Sequence, residues 1–486
     1  MFLSSLCRLL RSTLVVATGA TCALAQNLPP EVEAALLKAK VPREAVTMLV
    51  VDAEGKMLPR LSHRPQVAMN PASVMKLVTT YAALDLLGPA FTWNTPVYVE
   101  GAVRDGTLYG NLFIKGAGDP KLVAERLWLL LRRVQGLGVK TISGDMVLDH
   151  TAFAVAGAEP GDFDGEPLRP YNVAPDALLL NFKSVVMTFV PDRTLNTAQV
   201  QFDPPLAGVA TQASVPLSAG DCGDYRSALR ADFSDPTRIR FGGSYPAACQ
   251  EKVWPVAYAD PRSYAARAVE GMWLEMGGKL GGTVRGGKLP APPGSLPSPA
   301  FEVVSPALAE VIRDINKYSN NVMAQQLFLT LSLPPRGSGN GGLAGRNEAA
   351  SFEASREVIR RWWQERIGAG EVPVLDNGSG LSRAERISAQ ALARMLQTAY
   401  LSPQMPELMS SLPVAGVDGT LRRNRSRALG SAHLKTGSLR DVTAIAGYVH
   451  ATSGKRYVLV AIANHANASA ARPALDALLD WAVRDN

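Results

Sequence analysis

The sequence predicts an α+β protein whose core is assembled from both ends of the chain around a mainly β insertion. Three observations predict it. Near the start, a β-branched apolar run at 46–51 precedes a helical stretch that opens after Asn70-Pro71. Between about 95 and 255, short strand-like runs alternate with Gly, Asp and Pro. At the end, three strand-like runs lead into an amphipathic helix.

Length and composition bound the rest. The chain has 486 residues, 47% hydrophobic and 19% charged, a globular composition rather than a disordered or collagen-like one. At roughly 150 residues per domain, this length suits about three domains. The formal net charge is +7. Without a clustered Lys/Arg stripe it implies no nucleic-acid partner. The five His (His63, His150, His433, His450 and His465) show no H-E-x-x-H spacing, so neither a catalytic metal nor a cofactor is expected.

Residues 1–25 read as a signal peptide. Arg8 and Arg11 give a positive start, 12–25 carry no charge, and Ala23-Leu-Ala25 supplies the small–x–small cleavage pattern before Gln26. A transmembrane helix is the alternative, but the uncharged run is short against the ~20 residues a span needs. Thr21 disfavours a lipid anchor on Cys22. Loss of Arg8 and Arg11 lowers the net charge from +7 to +5, and only Cys222 and Cys249 remain. In an exported protein these two are expected to form a disulfide, with two buried free thiols as the alternative. No other apolar run reaches 18 residues, so no integral membrane span is expected.

The elements follow in order. The run at 46–51, the turn Asp52-Ala-Glu-Gly55 and Lys56-Met-Leu read as a β-hairpin. Asn70 is a good N-cap and Pro71 fits the first helical position. Leu77, Tyr81 and Leu84 then recur at helical spacing up to Gly88-Pro89. Strands are expected at 112–114, 145–148, 185–190 and 200–202. A helix is expected over 262–276, then a loop-rich stretch over 277–299 with one short strand. One helix is expected around 308–331, followed by a flexible stretch over 334–345. Strands at 432–438, 443–449 and 457–462 precede a closing helix at 473–483, with Leu475, Leu478, Leu479 and Ala482 on one face.

Three short motifs carry chemistry. In Ser73-Val-Met-Lys76, a separation of three puts both side chains on one helix face. A neutral Lys there can take the Ser proton and create a nucleophile without His. Alone this is weak, because S-x-x-K arises about once by chance in such a chain. Lys435-Thr-Gly437 with Ser438 lies on an expected strand. Lys fixes a positive charge, the hydroxyls can bind a carboxylate, and Gly lets a ligand backbone lie on the strand edge. Ser319-Asn-Asn321 alone would read as a helix cap. Their conjunction, in this order and on these elements, is the active-serine penicillin-recognising constellation.

The sequence resembles that superfamily, and in particular the class C low-molecular-mass penicillin-binding proteins, the penicillin-binding protein 4-like D-alanyl-D-alanine carboxypeptidase/endopeptidases. The 246-residue step from Ser73 to Ser319 matches their large inserted domains. Further similar runs are Asn70-Pro-Ala-Ser-Val-Met-Lys76, Lys115-Gly-Ala-Gly-Asp-Pro120, Ser143-Gly-Asp-Met-Val-Leu148, Asn316-Lys-Tyr-Ser-Asn-Asn321, Asn377-Gly-Ser-Gly-Leu-Ser-Arg383 and Ala446-Gly-Tyr448. Two departures are conservative: Asn377 stands where Asp is frequent, and Ser438 where Thr is commoner.

The resemblance implies an antiparallel five-stranded sheet flanked by helices, with two mainly β inserted domains. It divides the chain into a leader (1–25), a split catalytic domain (26–95 and 300–486), an inserted domain II (96–189 and 256–299) and an inserted domain III (190–255). It implies a periplasmic serine DD-peptidase. Ser73 would be the nucleophile, Lys76 its general base, and Ser319 with Lys435 the proton relay. Asn321, Thr436, Gly437 and Ser438 would bind substrate, and the backbone N–H groups of Ser73 and Ser438 would form the oxyanion hole. Peptidoglycan stem peptides are the implied substrate and β-lactams the implied covalent inhibitors. The oligomeric state stays open, a homodimer among the options.

Other readings are disfavoured. The long insertion and the lack of an evident deacylation Glu loop argue against a serine β-lactamase. The complete motif set argues against a non-catalytic peptidoglycan-binding protein. Gly282-Thr-Val-Arg-Gly-Gly-Lys288 nearly fits a P-loop, but Leu289 and Pro290 follow where Ser/Thr and a helix should stand, so a hairpin or loop is expected. Gly378-Ser-Gly380 reads as a turn near the site, with a direct role for Ser379 the minor alternative.

Overall fold

A computed structural model describes residues 27–485 except 156–158, 291–297, 335–348, 369 and 425. The leader and most of the 334–345 stretch therefore lie outside the described residues.

The two ends of the chain build one five-stranded antiparallel sheet. Its order is Leu61–His63, Val46–Asp52, Arg456–Asn464, Val442–His450, Ala432–Leu439. Val46 pairs with Ala463, Thr443 with Ala463 on the other side, and Lys435 with Ala446. Successive side chains of a strand point to opposite faces. Accordingly Val458, Val460 and Ile462 pack on one face against helices Lys76–Leu87, Leu308–Tyr318 and Ala389–Tyr400. Leu459, Ala461 and Ala463 pack on the other against helices Pro30–Lys38 and Arg472–Val483. Burial on both faces is why these strands read as continuous apolar runs rather than alternating ones. The closing helix lays Leu475, Leu478, Leu479 and Ala482 on the sheet.

Between these halves lie two further large sheets. One contains Asn94–Arg104, Thr107–Lys115, Thr141–Ile142, Met146–Asp149, Lys279–Leu280, Val284–Gly286 and Phe301–Val304, with helices Ala124–Gly136 and Tyr264–Glu275 beside it. The other orders Tyr245–Pro246, Ser214–Ser218, Thr197–Asp203, Ser184–Asp192 and Lys252–Ala257. Leu112, Leu130 and Trp273 of the first share one apolar cluster with Met187 and Phe189 of the second. Cys222 and Cys249 are disulfide-bonded across a separation of 27 residues.

Several local expectations change. Val46–Asp52 pairs not with 56–58 but with Leu61–His63; Met57 and Leu58 are exposed, so the apolar pair after the turn is a loop. The strand-rich texture near 95–255 hid the helix Ala124–Gly136, which buries Leu127, Leu130, Leu131 and Val134. The expected helix at 308–331 is two helices, Leu308–Tyr318 and Asn321–Thr330. Two short strands rather than one lie among the described residues of 277–299. The P-loop-like run supplies the second of them, Val284–Gly286, parallel to Met146–Leu148 rather than in a hairpin. By sheet pairing, one of the two further sheets draws its strands from Asn94 to Val304, and in the other Ser184 pairs with Ala257.

Candidate active site

Asn70-Pro71 does not cap an α-helix directly. Ala72–Met75 form a 3-10 turn, and the α-helix Lys76–Leu87 continues from it. The Asn70 Oδ1 accepts the Ala72 N–H at 2.8 Å. Ala72 has φ +48°, a left-handed conformation that costs a non-Gly residue of order 1–3 kcal/mol. Two glycines hold it there from outside. A Cβ on Gly380 would lie 2.1 Å from the Ala72 carbonyl oxygen, and one on Gly437 2.4 Å from that of Pro71. Only bare backbone can approach so closely. Residues three apart eclipse in a 3-10 turn, so Ser73 and Lys76 stack.

Lys76 is wholly buried. Its Nζ lies 3.0 Å from Ser73 Oγ and 2.6 Å from Asn321 Oδ1, and it also donates to the Ser379 carbonyl. Burial drives this amine down to about 7, against the raising effect of Glu385's negative charge. A neutral amine has two N–H groups and one lone pair. Asn321 Oδ1 and Ser379 O can take both N–H groups, which leaves the lone pair facing the Ser73 hydroxyl. Ser73 itself is part-exposed.

The break between the two helices sets the next serine. Ser319 ends Leu308–Tyr318 in a left-handed conformation, φ +56°. Asn320 caps the following helix by accepting the Met323 N–H at 3.1 Å. The reversal brings Ser319 Oγ to 2.9 Å from Lys435 Nζ. Lys435 is also fully buried; desolvation and the nearby charge of Lys76 both push its amine well below the ordinary lysine range. Asn321 bridges the halves of the chain. Its Oδ1 meets Lys76 while its Nδ2 donates to the Tyr171 carbonyl at 3.1 Å.

The strand Ala432–Leu439 is the sheet edge. Leu434 N–H donates outward to Pro413 O and Ala432 O accepts from Ala415 N–H, both at 2.9 Å. The two-residue period of a strand places the Thr436 and Ser438 backbone groups on this same edge, beyond the covering segment. Gly437 is buried against the Ser73 turn and Ser438 is exposed. Thr436 Oγ1 lies 2.8 Å from Thr420 Oγ1. Thus Ser73, Lys76, Ser319, Asn321 and Lys435 form one linked cluster, flanked by Thr436, Gly437 and Ser438. Cys222 and Cys249 belong to the insertion and take no part in that network. His433 packs against His450 with ring centres 5.5 Å apart and planes tilted by 36°. Among the described residues no group of three or more His, Cys, Asp or Glu side chains forms a metal site, and no helix is long and apolar enough to cross a membrane.

Other contacts were not legible. Ser379 enters through its carbonyl, not its hydroxyl, which bonds Asn377 Oδ1 at 2.6 Å. Tyr171 likewise contributes a carbonyl. Backbone groups carry no residue-type signal. Lys317, buried, pairs with Asp418 at 2.6 Å and pins the segment covering the strand edge. Arg383 lies over the Phe163 ring at 5.2 Å, beside the Tyr171 loop.

The model of the D-Ala-D-Ala carboxypeptidase 3 (S13) family matches residues 28–484. The D-alanyl-D-alanine carboxypeptidase of Actinomadura sp. (strain R39) is 28% identical over 412 residues, covering 79% of this chain and 71% of the relative. The D-alanyl-D-alanine carboxypeptidase DacB of Haemophilus influenzae is 25% identical over 403 residues, covering 82% and 80%. Among solved structures, penicillin binding protein 4 (dacB) of Haemophilus influenzae superposes with a TM-score of 0.69 at 21% identity, over 92% of this chain and 99% of that one.

Proposed function

Because the chain belongs to the D-Ala-D-Ala carboxypeptidase 3 (S13) family, we propose that the Ser73–Lys76–Ser319–Lys435 cluster is the catalytic centre of its serine DD-peptidase activity. The observation that carries this is the Lys76 amine. It is buried, held near neutrality, and has its two other contacts taken by acceptors, so that its lone pair meets Ser73.

In the first step Ser73 Oγ attacks the carbonyl carbon of the D-Ala–D-Ala bond and its proton passes to Lys76 Nζ. The backbone N–H groups of Ser73 and Ser438 face the developing oxyanion, an interaction that accounts for about 3–4 kcal/mol in comparable sites. The carbon–nitrogen bond then breaks. The leaving amine takes the proton of the Ser319 hydroxyl, which Lys435 orients, and the proton that Lys76 took from Ser73 replaces it, so that Lys76 is again neutral for deacylation. Thr436 and Ser438 hold the terminal carboxylate near the Lys435 charge, and the second N–H of Asn321 holds the peptide amide. Gly437 lets the strand edge meet both substrate and the Ser73 turn. Water attacks the acyl-enzyme and restores Ser73.

The same attack on a β-lactam leaves a stable acyl adduct, and cleavage of D-Ala cross-links follows from the same chemistry on a longer substrate. Peptidoglycan stem peptides are thus the substrate, and the periplasm, reached through the leader at 1–25, the place of action. The test is labelling by a fluorescent penicillin with D-Ala release from a pentapeptide. Wild type should show both and Ser73→Ala neither. Label on another residue, or none, removes the reading. Nitrocefin turnover at a β-lactamase rate would replace it with the hydrolase of that class.

A further inference from the structure

Glu385 is a carboxylic acid with no exposed surface, placed in a core that carries two fully buried lysines, Lys76 and Lys435, and, among the described residues, no other fully buried acid. Its Oε1 accepts three consecutive backbone N–H groups, those of Asp376, Asn377 and Gly378, at 3.1, 3.3 and 3.2 Å. Its Oε2 is buried and has no hydrogen-bond partner among the described residues. An unsatisfied buried carboxylate oxygen is costly, so this residue calls for an explanation beyond packing.

The turn that Glu385 gathers is the one that touches the nucleophile. Gly378 O accepts from Thr79 Oγ1 at 2.7 Å, on the helix of Lys76. Ser379 O accepts from Lys76 Nζ. Gly380 packs on the Ala72 carbonyl and on Ser73. We propose that Glu385 is a positioning residue for acylation: it clamps the 376–380 turn onto the Ser73 turn and supplies the buried negative charge against which Lys76 gains and loses its proton. This rests on the Ser73–Lys76 reading above.

The electrostatic surroundings agree. Burial pushes the Glu385 carboxyl up to about 7, and the neighbouring Asp376 charge pushes the same way, while the three backbone N–H groups oppose them. Burial lowers the Lys76 amine to about 7 as well, and the Glu385 charge opposes that. The other charged groups facing the pair are Lys435, whose positive charge is felt from the strand side, and Asp376, itself 3.8 Å from Arg356. Arg386, next in the chain, turns back to donate to the Glu385 and Arg383 carbonyls at 2.7 Å. The two groups are not in contact: Glu385 bonds the turn and Lys76 bonds the Ser379 carbonyl of that same turn, so the Glu385 charge acts on the amine through space. The neutral amine holds the lone pair that acylation needs.

The test is the pH profile of the acylation rate constant with a fluorescent penicillin, on the full mature chain, for wild type, Glu385→Gln, Glu385→Asp and Glu385→Ala. Gln keeps an oxygen for the three N–H groups but removes the charge. Without a nearby anion the Lys76 ammonium is less favoured, so the acid limb should move to lower pH by about half to one unit. Near pH 7, where wild-type Glu385 is about half ionised, this variant should acylate up to about twofold faster than wild type. Asp keeps the charge and shortens the reach, so its limb should stay in place over a lower plateau. Ala removes both and should be slow at every pH. Superimposable limbs for wild type and Glu385→Gln, or a Glu385→Gln profile as slow as that of Ala, would overturn the proposal. A displaced limb for Glu385→Asp would do the same. Absence of Ser73 labelling in wild type would instead overturn the reading on which it rests.

Discussion

Replacing Gly437 by Ala tests whether the site depends on the distance between the strand edge and the Ser73 turn. The added Cβ would lie 2.4 Å from Pro71 O, 3.1 Å from Val74 N and 3.2 Å from the Ala72 Cβ. A carbon–oxygen contact settles near 3.3 Å, so turn and strand must part by about 0.9 Å. Neither can yield through a flexible side chain, because the nearest atom is backbone. Overpacking of this kind costs about 1–3 kcal/mol, which a chain of this size should survive folded. The chemistry should not survive as well. A displacement near 1 Å at a reacting group costs on the order of 10²-fold, and Ser73 lies two residues from Pro71, between the strand and Lys76. The expected result is a rate constant for acylation by fluorescent penicillin lowered about 10²-fold, with an unfolding midpoint lowered by a few degrees. Gly286→Ala is the control, since a Cβ there meets nothing within 4 Å. If Gly437→Ala acylates within threefold of wild type, contact between strand and turn does not set the geometry of attack.

Lys76→Arg keeps the positive charge but cannot lose a proton, so acylation should fall about 10²–10⁴-fold; for wild type, an amine near 7 predicts a neutral fraction, and hence an acylation rate, that rises about tenfold from pH 6 to pH 8. Asp176 is held below the ordinary carboxylate range: burial alone would raise it, but the His150 hydrogen bond and the Lys183 charge outweigh burial. Its stabilisation is thus present above about pH 4 and is lost as pH falls below it. Asp176→Asn, which strands the mostly buried Lys183, should lower stability by about 3 kcal/mol at pH 7, and chemical denaturation should show that deficit shrinking in acid. Opening the Cys222–Cys249 bridge by Cys222→Ala with Cys249→Ala releases a 27-residue separation, which loop-closure entropy puts at about 3.5 kcal/mol. Calorimetry should register the loss while penicillin labelling of Ser73 persists, since both Cys lie within the insertion.

The side chains proposed for catalysis were legible because that chemistry constrains residue type and spacing together. Ser73 and Lys76 need a separation of three, and Lys435 and Gly437 need a strand, which the run at 432–438 announces. What was not legible is the part supplied by backbone and by burial. Ser379 and Tyr171 act through carbonyls that any residue possesses. Glu385 stands between Arg383 and Arg386 in a run that looks like solvated surface, and only the fold removes it from water. Ser319 was read within one continuous helix, since 308–331 keeps its apolar period across the break. The left-handed residue that ends the first helix is a Ser rather than a Gly, so the usual signal for a stop was missing. The helix Ala124–Gly136 was missed for a related reason: Arg, Trp and Leu at its surface blur the apolar stripe that its buried leucines form.

The sheet pairing also explains how a 246-residue step can separate two halves of one site. The chain leaves the core at Asn94 and returns at Val304, and these two residues are direct partners in an antiparallel pair. To the core, the insertion is therefore a short connection closed at its neck, and its length adds little to the closure entropy, which grows only logarithmically. Trp93 Nε1 donates to Thr330 Oγ1 at 2.9 Å, and Ser305 Oγ accepts the Trp93 N–H at 2.9 Å, just inside that neck. The insertion then reaches back. Asp176 N–H donates to Gln326 Oε1 at 2.9 Å, and Gln326 Nε2 donates to the Asp176 and Gly118 carbonyls at 2.9 and 3.3 Å. Gln326 and Asn321 stand on the same helix, and Asn321 meets Tyr171. The helix that carries the Asn321 contact to Lys76 is thus also held by the inserted segment. A core folded without the insertion would keep the Lys76 contact of Asn321 but lack the Tyr171 carbonyl that fixes its amide group.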